Sequence, residues 1–183
     1  MKVTEIARSL PSEAKDSFRW RFATPSLIYS IPLLKGQPFG SPVAVGEKFH
    51  SSLERFWSGQ HVEPWFYGAC LGVMAGVEEL GVDIATIRTE VAIRSNKTWG
   101  VIDFIGSSGD RSIVGEVKTT CGKFLRAPSP DEVCQASLYG ALQGSEAPLL
   151  VFFRVCFRSS RVAVYLSDEC KEYIDRAKEI LAA

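Results

Sequence analysis

Two apolar segments joined by a short polar turn constrain this chain more than any other feature. They read Trp99-Gly100-Val101-Ile102-Asp103-Phe104-Ile105 and Arg111-Ser112-Ile113-Val114-Gly115-Glu116-Val117-Lys118. Both are rich in β-branched residues, and Ser107-Ser108-Gly109-Asp110 has turn composition, so the stretch predicts a β-hairpin. With the turn centred between Ser108 and Gly109, Asp103 faces Val114 and Val101 faces Glu116. Side chains alternate along a strand, so Asp103, Glu116 and Lys118 then project from one face. Asp103 and Glu116 become diagonal neighbours, with Cβ atoms roughly 7 Å apart. Two carboxylates at that spacing can share one divalent cation, which relieves their repulsion. A single-residue bulge would put them on opposite faces. An ordinary solvated hairpin face would also carry these charges.

The rest of the composition sets bounds. A chain of 183 residues with 46% hydrophobic and 23% charged residues suits one globular domain with a sizeable core. Basic and acidic residues balance at 21 each, so any nucleic-acid surface has to be a local basic patch. The five cysteines (Cys70, Cys121, Cys134, Cys156, Cys170) lack metal-ligand spacing, which argues for reduced thiols rather than a disulfide framework or zinc site. No apolar run reaches the ~18–20 residues of a membrane span, and Met1 to Leu10 lacks a signal-peptide core. The expectation is a cytoplasmic protein with no membrane contact.

Along the chain, residues 1–42 form the least regular segment, interrupted by Pro11, Pro25, Pro32, Pro38 and Pro42, ahead of a core at about 43–183. Helical spacing of Phe49, Leu53 and Phe56 predicts a helix from Val43 to Trp57. A second is expected from about Glu63 to Leu80, ending at Gly81. Ile84 to Ile93 alternates like a strand, and Ser95 to Thr98 turns it into the Asp103 segment. Ser129, Pro130 and Glu132 together form a strong helix start, with Gly144 as the stop. Leu149 to Cys156 and Arg161 to Leu166 read as strands, followed by a helix from about Ser167 to Leu181. The order implies an α/β fold, a mixed central sheet flanked by helices.

Several other residues are candidates for chemistry. Gln135 and Tyr139 share one helix face, from which they can hydrogen-bond a phosphate or orient Lys118; a half-buried tyrosine and a solvated glutamine are the plain alternative. His50 lies one turn after Gly46, whose missing side chain permits close approach, and neutral imidazole is a competent manganese ligand. It also reads as an ordinary polar helix residue. Glu90 sits in mid-strand beside the hairpin, either at an exposed edge or as a third carboxylate supporting a second ion or a water.

Taken in order, Gly46-x-x-x-His50, Glu90, Gly100-Val101-Ile102-Asp103, Gly115-Glu116-Val117-Lys118-Thr119 and Gln135-x-x-x-Tyr139 resemble the PD-(D/E)xK nuclease superfamily, specifically its RecB-like and lambda-exonuclease-like branch. Thr24-Pro25-Ser26 is similar to the serine-containing N-terminal segment of that branch, so the resemblance covers roughly residues 24–140. Ile102 stands where proline gives the superfamily its name, and the four clustered cysteines of iron–sulfur relatives are missing. The resemblance implies a single nuclease domain over 1–183 with a restriction-endonuclease-like core. It also implies a magnesium or manganese ion held by Asp103, Glu116, the Val117 carbonyl and His50, and no iron–sulfur cluster. Lys118 is then expected to contact the attacking water or scissile phosphate, with Gln135 and Tyr139 completing the helix motif.

The expected activity is metal-dependent hydrolysis of DNA, by an exonuclease or an enzyme preferring single strands or duplex ends. A non-cleaving nucleic-acid-binding protein on the same fold and a junction-resolving endonuclease are the alternatives. Arg94, Lys97, Lys123 and Arg126 are candidates for tracking a nucleic-acid backbone. Phe18, Trp20 and Phe22, interleaved with Arg19 and Arg21, fit either base stacking or, better, a strand packed on the core.

Overall fold

A mostly apolar segment, broken by Arg154 alone, lies near the centre of the sheet. Leu149 to Cys156 is buried at every position, as expected of a strand covered on both faces. The computed structural model describes all residues except 22–23, 32–39, 96, 121–124 and 168–169, so Phe22, Pro32, Pro38, Cys121 and Lys123 lie outside the described residues. Its elements are α1 (Val3–Ser9), α2 (Ser12–Asp16), β1 (Leu27–Ser30), α3 (Pro42–Trp57), α4 (Pro64–Glu79), β2 (Arg88–Arg94), β3 (Trp99–Ser108), β4 (Arg111–Thr120), α5 (Pro130–Leu142), β5 (Leu149–Cys156), β6 (Arg161–Ser167) and α6 (Lys171–Ala182). The strands make one six-stranded sheet in the order β1-β6-β5-β4-β3-β2. Only β4 and β5 run parallel, joined through α5; every other neighbouring pair is antiparallel. The mixed α/β class expected from the sequence is therefore observed.

Side-chain alternation divides the core in two. Ile113, Val117, Val151 and Phe153 turn towards α3 and α4, where Val45, Phe49, Phe66 and Val73 meet them. Val114, Leu150, Phe152 and Tyr165 turn the other way, towards Val3 of α1, Val133 and Leu138 of α5, and Tyr173 of α6. At about 25 cal/mol per Å² of apolar surface removed from water, these two layers supply the main drive for folding.

Helix ends follow their local chemistry. The α5 start is the expected capping box: Ser129 N–H donates to Glu132 Oε2 at 2.7 Å, and Glu132 N–H donates to Ser129 Oγ at 3.4 Å. Gly81 and Gly144, just past α4 and α5, take φ of +64° and +74°, a region that costs other residues more.

Three sequence expectations are corrected. Ile84 to Thr86 is a 3₁₀ turn capped by Asp83, whose carboxylate accepts from Ala85 N–H, so β2 starts only at Arg88. The hairpin turn is Gly109-Asp110, with Ser108 paired to Arg111. It lies one residue beyond the expected centre, because Gly109 supplies the positive φ of +56° that the turn needs. The N-terminal segment is more regular than its prolines suggest. Val3 and Ala7 of α1 bury against the sheet, and β1 extends the sheet by pairing with β6.

Gly115 on β4 tests the packing directly. A Cβ there would stand 1.8 Å from Cε1 of Phe104. Gly115→Ala is expected to lower the free energy of unfolding by about 2–3 kcal/mol, since overpacking forces a ring or backbone shift. Urea unfolding measures this, and a wild-type midpoint would mean that the Phe104 ring yields freely.

Candidate metal centre

The regular alternation of the sheet breaks where the acidic residues meet. Thr89 pairs with Phe104 and Val91 with Ile102, so Glu90 and Asp103 stand opposite one another with no ladder pairing between them. Glu90 takes a φ of +49°, in the left-handed region, a conformation costing of order 1–3 kcal/mol for such a residue. The β3–β4 ladder also stops at Phe104–Gly115. As a result Ile102 packs in the α5 layer and Phe104, two residues on, in the α3–α4 layer. This is a change of phase of the kind that would separate the carboxylates in a regular hairpin. Here the chain bends at Asp103, whose Oδ2 accepts from the Val117 backbone N–H at 2.6 Å and lies 3.7 Å from Lys118 Nζ. Asp103 is thus tied across the gap to β4.

On the α3 side, Gly46 allows the helix to sit against β4. A Cβ at Gly46 would lie 3.1 Å from Thr119 Oγ1. One turn later His50 Nδ1 is 3.7 Å from both Glu90 Oε1 and Asp103 Oδ1. One ligand atom from each of His50, Glu90 and Asp103 lies within 4.8 Å of the others. Burial pulls the imidazole pKa down, but the hydrogen bond to Glu90 and the Asp103 charge outweigh it, and the net shift is upward. Lys118 opposes that rise from the other side.

On the α5 side sits a second group. Glu116 is fully buried, accepting from Lys118 Nζ at 2.6 Å through Oε2 and from Gln135 Nε2 at 3.0 Å through Oε1. Burial raises its pKa to about 7, against the pull of Lys118 and with a further push from Asp103. Burial disfavours the Lys118 ammonium, but Glu116 and Asp103 more than compensate and hold it above the ordinary lysine range. Lys118 therefore stays charged at neutral pH. Tyr139 packs its ring over Gly100, where a Cβ would meet Cε1 at 2.6 Å. Its hydroxyl pKa is raised by burial and then by the charges of Glu116 and Asp103. At 1% exposure Tyr139 offers no surface to a substrate; it props the site from behind.

The candidate ligands and catalytic residues, His50, Glu90, Asp103, Glu116, Val117, Lys118, Gln135 and Tyr139, therefore gather around one bend, but in two groups. His50, Glu90 and Asp103 form the ligand-like set, with Glu90 taking the place expected for Glu116. The Glu116 carboxylate is committed to Lys118 and Gln135, and Val117 contributes its N–H to Asp103. A cleft of about 550 Å³ opens onto His50, Glu90, Asp103 and Lys118. A second, of about 350 Å³, lies beyond Lys118 and is lined by Arg126, Glu132 and Arg154. Arg154, the partner of Lys118 in the β4–β5 register, went unnoticed in the sequence because it lies inside an apolar strand. Its guanidinium grips Glu132 through two contacts, at 2.8 and 2.5 Å. Burial pushes the Glu132 pKa up, yet Arg154 and the Ser129 cap bring it below the usual carboxylate range. Of the N-terminal aromatics, Phe18 and Trp20 are buried with Phe152 and Tyr173, while Arg21 pairs with Glu172. Among the described residues no helix is long and apolar enough to cross a membrane.

No family model and no curated protein matches the chain. Among solved structures it is similar to the crystal structure of SSO0001, at 17% identity and a TM-score of 0.42, covering 100% of this chain and 75% of that one.

The Glu116 environment predicts a pH signature for the protein in chelator. Its folded-state pKa stands above the unfolded value of 4.5, so its contribution to stability is complete below about 4.5. That contribution is lost as pH rises towards about 7, where the folded state gives up its proton. Thermal melts of wild type and Glu116→Gln across this window should show the wild type losing stability relative to the variant as pH rises. Parallel curves would place the Glu116 pKa back in the ordinary range.

Proposed function

We propose that this protein is a divalent-metal-dependent nuclease, hydrolysing phosphodiester bonds in DNA at single strands or duplex ends. The observation that carries the reading is the meeting of His50, Glu90 and Asp103 within 4.8 Å beside the Lys118 ammonium, 3.7 Å from Asp103. One imidazole and two carboxylates fit manganese or magnesium better than a thiolate-seeking metal. The strained Glu90 backbone, aimed into the same cleft, is the kind of local cost that functional sites retain. When bound, the ion would supply Lewis acidity and a lowered water pKa. The chain's own residues do the remainder. Lys118, kept protonated by its two carboxylates, places positive charge where a phosphorane-like transition state gains negative charge. Glu116 fixes the direction of that ammonium, and Gln135 fixes Glu116. The resemblance to the RecB-like branch supports the same reading, with Glu90 standing where that resemblance implies Glu116 as a ligand. An intracellular, cytoplasmic setting accords with it.

Incubation with end-labelled single- and double-stranded DNA, with and without manganese, tests the proposal. Cleavage is expected only with the ion, and full cleavage in excess EDTA would overturn it. Asp103→Asn should abolish cleavage while the melting curve stays cooperative; unchanged turnover would remove Asp103 from the site. Lys118→Ala should cost on the order of 3 kcal/mol of transition-state stabilisation, roughly a hundredfold in kcat, with metal binding nearly normal. His50→Ala should instead raise the manganese concentration needed for half-maximal activity. An unchanged metal titration at unchanged rate would return His50 to an ordinary helix residue.

A further inference from the structure

The face of β3 that carries Asp103 does not end at the metal cluster. Gly100 and Ile102 turn towards α5, against Tyr139 and its neighbours. Trp99, Val101 and Asp103 therefore turn to the opposite side, the side on which His50 meets Asp103. Their β2 partners run alongside, Ala92 opposite Val101 and Arg94 opposite Trp99, and both are exposed. An open ramp two strands wide thus leads from the carboxylates to an indole. Trp99 is 48% exposed and Val101 36%, on a sheet whose other large side chains are mostly covered. Trp99 lies about 13 Å from Asp103 along the strand, at a rise near 3.3 Å per residue.

The charges around the indole complement a polyanion. Lys2 Nζ stands 5.3 Å over the Trp99 ring, Arg94 is its cross-strand partner, and exposed Lys97 lies in the turn just before it. In a chain of zero net charge, three cations grouped about one open aromatic ring form the local basic patch that nucleic-acid binding requires. Together, an aromatic platform and neighbouring cations are what single-stranded nucleic acid uses, its bases stacking on the ring and its phosphates meeting the cations. Duplex ends cannot offer an unstacked base in the same way.

We infer that Trp99 is a base-stacking residue that receives single-stranded DNA on the β2–β3 ramp, with Lys2, Arg94 and Lys97 meeting the backbone, and so selects unpaired strands for the cleft. The inference rests on the nuclease reading for its purpose, but not for its binding chemistry. It also replaces Phe18 and Trp20, which are buried, as the aromatic contact to bases.

Fluorescence anisotropy of labelled oligodeoxythymidylate and of a labelled duplex of equal length, both in chelator, tests it on the full chain. Trp99→Ala should weaken oligodeoxythymidylate binding about tenfold, within the range for losing one stacked base. Trp99→Phe should restore most of the affinity, and duplex binding should change little in either variant. With manganese present, Trp99→Ala should raise KM for the single strand and leave kcat near wild type. Wild-type affinity of Trp99→Ala for oligodeoxythymidylate would overturn the inference, as would an equal loss for the duplex, which marks a merely structural role. Trp99-dependent binding without cleavage in any metal would uphold the inference while the nuclease reading fails. Cleavage with Trp99-independent binding would do the reverse.

Discussion

The site depends on a carboxylate that has no access to water. Leaving Glu116 unpaired in the sheet would cost several kcal/mol. Two donors from two elements prevent that: Lys118, two residues along the same strand, and Gln135, from the helix that crosses behind it. Glu116 thereby determines where the Lys118 ammonium points, and through Gln135 it registers α5 against β4. Lys118 in turn reaches Asp103 on the neighbouring strand. Removing one partner would leave a buried charge uncompensated, so these residues stand or fall as a unit.

The second constraint is geometric. A regular strand keeps one alternation along its length, which would put Ile102 and Phe104 in the same layer. The structure breaks that alternation at the Glu90–Asp103 step, where pairing lapses and Glu90 adopts a left-handed backbone. The bend lets Asp103 face α3 while its carboxylate remains anchored by the Val117 amide. Local strain is thus exchanged for convergence of groups from α3, β2, β3 and β4.

Much of this architecture was legible in the sequence, for definable reasons. Apolar periodicity located α3, α4, β5 and β6 within a few residues, and the Ser129–Glu132 capping box placed the start of α5. Side-chain chemistry in chain order singled out His50, Glu90, Asp103, Glu116, Lys118 and Gln135, which the fold brings together. Periodicity cannot report a break in itself, so the bend at Asp103, and with it the grouping of Glu90 with His50, was hidden. The turn lay one residue further on because the need of Gly109 for positive φ outweighed symmetry of composition. The roles of α1 and β1 were missed because short segments between prolines become regular only by docking on a distant surface. Arg154 was masked by its apolar neighbours, and its counter-charge comes from Glu132, which the sequence marked only as a cap.

The placement of β1 has a consequence for how the chain reaches this state. Leu27 pairs with Val164, and Lys2 bridges to Trp99, so the N-terminal segment finds its partners only after most of the chain is available. The β2–β3–β4 meander, by contrast, is assembled from near neighbours, and such contacts form quickly because they close short loops. During synthesis the bend that carries Glu90 and Asp103 can therefore take shape well before β6 appears, while β1 waits for β6. Until β6 is made, β1 has no sheet partner for its backbone donors and acceptors. The interval before closure is thus the period in which this chain is most exposed to pairing with the wrong strand.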